Sequence, residues 1–181
     1  MNLRHALVLL DGFFTAQDAR WAVVGGFALG ALGIVRATYD LDILTSSVAQ
    51  QPLVSFLESL DYETLHASPA FSHHHPRAGD LPRIDVLYVQ AETAEKLFPH
   101  CTMREVVPGL EVPVPRPEHL AAMKVQAMSS DPTRQAHELA DLRELLRLPG
   151  LDKTEVREYF VRHGFEREFT ALEHRLPTDE S

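Results

Sequence analysis

The stretch Val23-Val24-Gly25-Gly26-Phe27-Ala28-Leu29-Gly30-Ala31-Leu32-Gly33-Ile34-Val35-Arg36-Ala37-Thr38-Tyr39-Asp40-Leu41-Asp42-Ile43-Leu44 decides the fold. Trp21 to Val24 is a short apolar run that stops at a glycine pair, and Phe27 to Ile34 has the Ala/Leu content of a short helix. A strand, a tight glycine turn and a helix start are therefore expected in order. Glycine permits the backbone angles and close approach that such a turn needs, and a helix start offers unpaired N–H groups to an anion. Gly25 and Gly26 are thus candidate phosphate-facing positions. Arg36 and Thr38 add a cationic fork and a hydroxyl suited to phosphate oxygens.

Tyr39 to Leu44 alternates acidic and apolar residues with period two. In a strand, Asp40 and Asp42 project from one face while Leu41 and Ile43 pack from the other. The two carboxylates then lie roughly 6–7 Å apart along the strand, which suits a pair of divalent ions about 3.5–4 Å apart. A third acid, Asp85, sits in Arg83-Ile84-Asp85-Val86-Leu87-Tyr88-Val89, another strand-like run. Aspartate is disfavoured in strand interiors, so three of them in two apolar strands need an explanation. Either these strands are half exposed with their acids in water, or the acids form a metal-dependent nucleotidyl-transfer site.

The ordered set of Gly25-Gly26, a gap of 13 residues, Asp40-Leu41-Asp42-Ile43 and a later strand Asp85 resembles the signature of the polymerase-beta-like nucleotidyltransferase superfamily. The chain looks most like the compact bacterial branch that includes the AbiEii-type abortive-infection enzymes, and it is also similar to small aminoglycoside nucleotidyltransferases. The motif covers about a third of the chain. The resemblance implies an α/β (α+β) nucleotidyltransferase fold: a mixed β-sheet flanked by helices, with a C-terminal helical cap. It implies two Mg2+ ions, replaceable by Mn2+, on Asp40, Asp42 and Asp85, with Gly25 and Gly26 against a nucleoside triphosphate. Asp85 becomes the candidate for removing the acceptor's proton.

A second group lies further along. Pro117 to Met128 reads as a helix displaying one cation, Lys124; Asp131-Pro132 breaks it, and Thr133 to Arg147 forms another helix with Arg134, His137 and Asp141 near one face. In relatives of the fold the matching lysine lies over the triphosphate, which makes Lys124 a candidate nucleotide ligand. Read from periodicity alone, the pair is an amphipathic helix pair with solvated charges.

The chain has 181 residues, 45% of them hydrophobic, enough for one full core with a helical appendage. The expected division is a catalytic core over 1–115 and a helical region over 116–181, jointed at Pro115-Arg116-Pro117. Helices are further expected over Asn2 to Gln17, Gln51 to Leu60, 152–163 and 165–175. Tyr62 to His66 reads as a strand, Thr102 to Val114 as two short strands around a turn, and Pro177 to Ser181 as a frayed tail. No apolar run of membrane-spanning length occurs and the N-terminus lacks a signal-peptide pattern, so a cytoplasmic protein without a membrane partner is expected. A single cysteine, Cys101, precludes an intrachain disulfide and suggests no nucleophile.

Residues 1–90 carry 5 basic and 9 acidic side chains and residues 91–181 carry 12 and 17, so the net charge of −9 is spread evenly. No basic domain emerges to hold a nucleic acid, although Arg134, Arg143, Arg147 and Lys124 could form a local patch. The AbiEii resemblance implies an RNA or protein acceptor, in toxin–antitoxin or phage-defence roles, with a cognate antitoxin partner. The acidic balance suits a cationic small molecule such as an aminoglycoside, and a non-catalytic nucleotide-binding or antitoxin-like protein is the third reading. His73-His74-His75 reads as a solvated polar strand end, since only His73 and His75 would share a face and no Cys or Glu stands at ligand spacing.

Overall fold

A computed structural model describes residues 2–176; the expected frayed tail over Pro177 to Ser181 lies outside them. The chain divides into two compact units, one ending at Pro115 and the other beginning at Arg116.

The first unit opens with α1 (Leu3–Ala16), capped by the Asn2 side chain, which accepts from the His5 N–H. Its Leu7, Leu10 and Phe14 are buried, and Phe14 stacks on Trp21 at the start of β1 (Trp21–Val23) with ring centroids 5.3 Å apart. Then come α2 (Gly25–Ala31), β2 (Asp40–Ser46), α3 (Gln50–Ser59), β3 (Tyr62–Ala67), β4 (Phe71–Pro76), β5 (Arg83–Val89), α4 (Ala91–Leu97), β6 (Thr102–Val107) and β7 (Leu110–Val114). Five strands form a mixed sheet in the order β1-β2-β5-β4-β3, in which β2 and β5 run parallel and the other neighbours antiparallel. The mixed sheet flanked by helices is the architecture expected from the sequence. Strands β6 and β7 make a separate hairpin, turned by Pro108 and Gly109 with Gly109 at φ +70°. Helix α4, in a segment left unassigned by hydrophobic pattern, is a short helix with a Glu92–Lys96 pair one turn apart.

The period-two alternation of β2 and β5 separates their faces as expected: Leu41, Ile43, Ile84 and Val86 are buried, while Asp40, Asp42 and Asp85 are half-buried. Strand β4 departs from the expected solvated strand end, because His74 is fully buried. Its imidazole is satisfied within the core: Ser72 Oγ lies 2.7 Å from Nε2 and Thr64 Oγ1 lies 3.2 Å from Nδ1. Thr64 donates to Glu58, so its oxygen accepts from the His74 Nδ1–H; Nε2 then accepts from Ser72, whose oxygen accepts from the Tyr88 hydroxyl at 2.7 Å. Burial lowers the His74 pKa below its ordinary 6.5, helped by His73 and opposed by the Glu58 and Asp85 carboxylates. A neutral imidazole is therefore built in. Its contribution to stability is complete above about pH 6.5 and is lost as pH falls, because the unfolded chain takes up a proton that the fold resists, at a limiting slope of about 1.4 kcal/mol per pH unit. Thermal unfolding should show a drop in Tm between pH 7.5 and 5 that is smaller in His74→Gln; an equal drop in both would exclude His74 as its source.

The second unit contains α5 (Pro117–Ser130), α6 (Gln135–Leu145), α7 (Lys153–Arg162) and α8 (Glu166–Glu173). Proline opens α5 at a position where its missing N–H costs nothing, and Asp131-Pro132 ends it. Asp152 caps α7 by accepting from the N–H groups of Thr154 and Glu155, and Gly164 at φ +78° turns the chain into α8. Phe160 and Phe169, both buried, meet at 5.2 Å across α7 and α8.

Candidate active site

Strand register sets the three acids on one face of the sheet. Parallel pairing of β2 with β5 sets Asp42 directly opposite Asp85, and Asp40 lies two residues earlier on the same face of β2. At the other flank, the Val24 N–H donates to the Asp42 carbonyl at 2.9 Å, which brings the glycine turn against the strand. Gly25 has φ +61°, and a Cβ there would fall 1.9 Å from Asp42 Oδ2. Only glycine both adopts this backbone and leaves room for the carboxylate. Gly26 is constrained by space alone, since its Cβ would lie 2.6 Å from the Thr38 Cβ. The Thr38 hydroxyl donates to the Asp40 carbonyl at 3.2 Å, tying the loop to the start of β2, and Arg36 is exposed on that loop.

Gly25→Ala should therefore destabilise the protein by about 2 kcal/mol from backbone strain and push the Asp42 carboxylate from its place. Urea unfolding and nucleotide affinity, measured together, should both fall; a variant equal to wild type in both would show that the turn relaxes freely.

Asp85 has a neighbour that the sequence, in which His73 read as part of a solvated strand end, did not assign to the site: His73 Nδ1 lies 2.7 Å from Asp85 Oδ1. The two are register partners across β4 and β5. Their strand-to-strand register, which no single-strand pattern encodes, was the missing information.

Carboxylate oxygens are the hard donors that Mg2+ prefers, and three half-buried ones on one sheet face fit such an ion chemically. Among the described residues, however, no three His, Cys, Asp or Glu side chains are gathered closely enough to form a metal cage. That geometry suits Mg2+ arriving with phosphates, because the ion commonly takes one or two carboxylates and completes its shell with phosphate and water. A cleft of about 370 Å³ lined by Gln17, Arg20, Ser46 and Phe98 lies at the opposite end of β2 from Asp40, roughly 20 Å along the strand, and is distinct from this site. Burial pushes the Cys101 thiol up to about 11, against a smaller lowering by Arg20, away from the range of a reactive thiolate.

In the helical unit, Lys124 is buried, with Nζ 2.7 Å from Glu138 and 2.6 Å from Asp141. The solvated helix charges expected from periodicity are instead an internal network: Glu138 and Asp141 face α5, while His137 is exposed. Arg134 pairs with Glu138, and Arg143 and Arg147 both pair with Glu144. The four cations of the conceivable basic patch are thus paired with three carboxylates, Glu138, Asp141 and Glu144, so its positive charge is largely offset, which weakens it as a seat for a nucleic acid backbone.

Neither a family model nor a curated protein sequence matches the chain. Solved structures do. The antibiotic-resistance factor ANT(2'')-Ia matches at TM-score 0.65 and 15% identity over 93% of both chains. Its complex with adenylyl-2''-tobramycin matches at 0.58 and 14%, over 94% of this chain and 97% of that one. The lincomycin-bound lincosamide antibiotic adenylyltransferase LnuA matches at 0.51 and 12%, over 92% and 95%. No helix of the described residues is long and apolar enough to cross a membrane. With its mixed sheet, its glycine turn and its acids in register, the chain has the nucleotidyltransferase fold.

Proposed function

We propose that this chain is a metal-dependent nucleotidyltransferase that moves a nucleoside monophosphate from a nucleoside triphosphate onto a hydroxyl of a small, cationic acceptor, releasing pyrophosphate. One observation carries the reading: Asp42 stands in register with Asp85 on a parallel neighbour, two residues after Asp40, with Gly25 pressed against its carboxylate. Asp40, Asp42 and Asp85 would hold Mg2+, and Gly25, Gly26, Arg36 and Thr38 would face the triphosphate. When bound, the metal neutralises charge on the phosphates and lowers the pKa of the attacking hydroxyl. The remaining work is positioning: the acceptor oxygen is held in line with the α-phosphorus, and its proton passes to Asp85 as the bond to pyrophosphate breaks. Lys124 as a further nucleotide ligand is a separate proposal, which its two buried carboxylate partners make demanding.

The small acceptor is supported by the net charge of −9, by the pairing of Lys124, Arg134, Arg143 and Arg147 with carboxylates, and by likeness along nearly the whole chain to solved structures that hold adenylyl-2''-tobramycin or lincomycin. The test is transfer of label from α-phosphate-labelled ATP, GTP, CTP and UTP onto aminoglycosides, lincosamides, total RNA and cell protein, with Asp40→Ala as control. Label on a small molecule that vanishes in the variant supports the proposal. Label on RNA or protein moves the acceptor to the AbiEii-type reading with its antitoxin partner, and metal-dependent nucleotide binding without any transfer favours a binding role.

A further inference from the structure

Asp85 can do its work only if its carboxylate is held in one orientation, and the structure supplies a candidate for holding it. His73 and Asp85 face each other as register partners on β4 and β5, so their 2.7 Å contact follows from the sheet and not from the reach of long flexible side chains. The half-exposed His73 ring has two aromatic neighbours on its face of the sheet. Phe71, two residues back on the same face, lies 5.2 Å away between ring centroids, and His66, its register partner on β3, lies 6.1 Å away. A carboxylate accepts and does not donate, so Nδ1 carries the hydrogen of this bond and Oδ1 is the oxygen it engages. That bond leaves Oδ2 as the second oxygen of a residue that stands opposite Asp42 in the sheet.

Resting on the nucleotidyl-transfer reading above, we propose that His73 is a positioning residue for Asp85: its Nδ1–H engages Oδ1 and thereby fixes Oδ2 toward the metal-bound nucleotide. His73 touches neither substrate nor reacting atoms. The acceptor oxygen forms its bond to the α-phosphorus, the bond from phosphorus to pyrophosphate breaks, the acceptor proton goes to Asp85, and His73 keeps its own proton throughout. The arrangement parallels the outer-shell partners that orient metal-ligating side chains, whose removal typically costs about 10- to 100-fold in metal affinity or activity.

The test needs no acceptor. Mn2+ affinity is measured in the presence of a non-hydrolysable ATP analogue for wild type, His73→Ala, His73→Asn, Asp85→Asn and the double variant His73→Ala/Asp85→Asn, with Tm as a check on folding. The asparagine amide places an N–H close to where Nδ1 stood. The proposal expects His73→Ala to weaken Mn2+ binding about 10-fold, His73→Asn to stay within about 2-fold of wild type, and His73→Ala to add nothing in the Asp85→Asn background. It is overturned if His73→Ala binds like wild type while Asp85→Asn does not, which leaves the nucleotidyl-transfer reading intact. Equal losses in His73→Ala and His73→Asn, or an additive double variant, also overturn it. If Asp85→Asn itself binds like wild type, the reading of the site and this proposal fall together.

Discussion

Asp42→Asn should lower kcat/KM for nucleotidyl transfer by roughly 1000-fold, about 4 kcal/mol of transition-state stabilisation, while leaving the fold intact. The substitution keeps the volume that packs against Gly25 and the place opposite Asp85, and removes the charge while turning one acceptor oxygen into an N–H donor. Asp42 is half-buried, so no core contact is lost and Tm should move by no more than about 2 °C. Of the three acids it is the one joined to both sides of the site, in register with Asp85 and against the glycine turn. The assay follows transfer of labelled nucleotide to the acceptor identified by the panel, beside a melting curve. Retention of more than a tenth of wild-type activity would remove Asp42 from the metal site, and an unfolded variant would show that its charge serves the fold.

The second large effect concerns stability. Lys124→Ala should destabilise the protein by about 3–5 kcal/mol, because it withdraws the ammonium that lies between Glu138 and Asp141 and leaves two buried carboxylates facing an apolar side chain. Arg134 still reaches Glu138, which moderates the loss without replacing Lys124. For a chain of this size the change corresponds to a fall of about 10 °C in Tm. Replacing all three groups at once, as Lys124→Met with Glu138→Gln and Asp141→Asn, should recover most of the stability, since no charge is then stranded. The same variants weigh the role implied by family resemblance. A Lys124→Ala protein that melts like wild type but binds nucleotide at least 10-fold more weakly would make Lys124 a phosphate ligand; one that melts early makes it the tie between α5 and α6.

Local patterns in the sequence carried much of the fold because they report local physics. Alternation placed Leu41 and Ile43 in the core and left Asp40 and Asp42 half-buried, and the break at Gly25-Gly26 marked a turn in which Gly25 combines a positive φ with no room for a Cβ beside Asp42. Asp131-Pro132 ended α5 as the restriction on residues preceding proline requires. What escaped depends on pairing between distant segments. The burial of His74 and the contact of His73 with Asp85 both follow from the position of β4 inside the sheet, between β5 and β3. The histidine run by itself looks the same in an edge strand facing water. Glu138 and Asp141 likewise read as surface charges on α6, and only the packing of α5 against that face turns them into buried partners of Lys124. Helix α4 has too few turns for an apolar stripe to stand out.

The central claim is that Asp40, Asp42 and Asp85 form a face that binds a divalent cation together with a triphosphate. Since no three-ligand cage exists among the described residues, the most direct measurement is Mn2+ binding followed by electron paramagnetic resonance with and without a non-hydrolysable ATP analogue, in wild type and Asp40→Ala. Weak Mn2+ binding alone, tightened at least 10-fold by the nucleotide and lost in the variant, is the predicted result. Nucleotide binding that is indifferent to the metal, or equal in wild type and variant, would contradict the account.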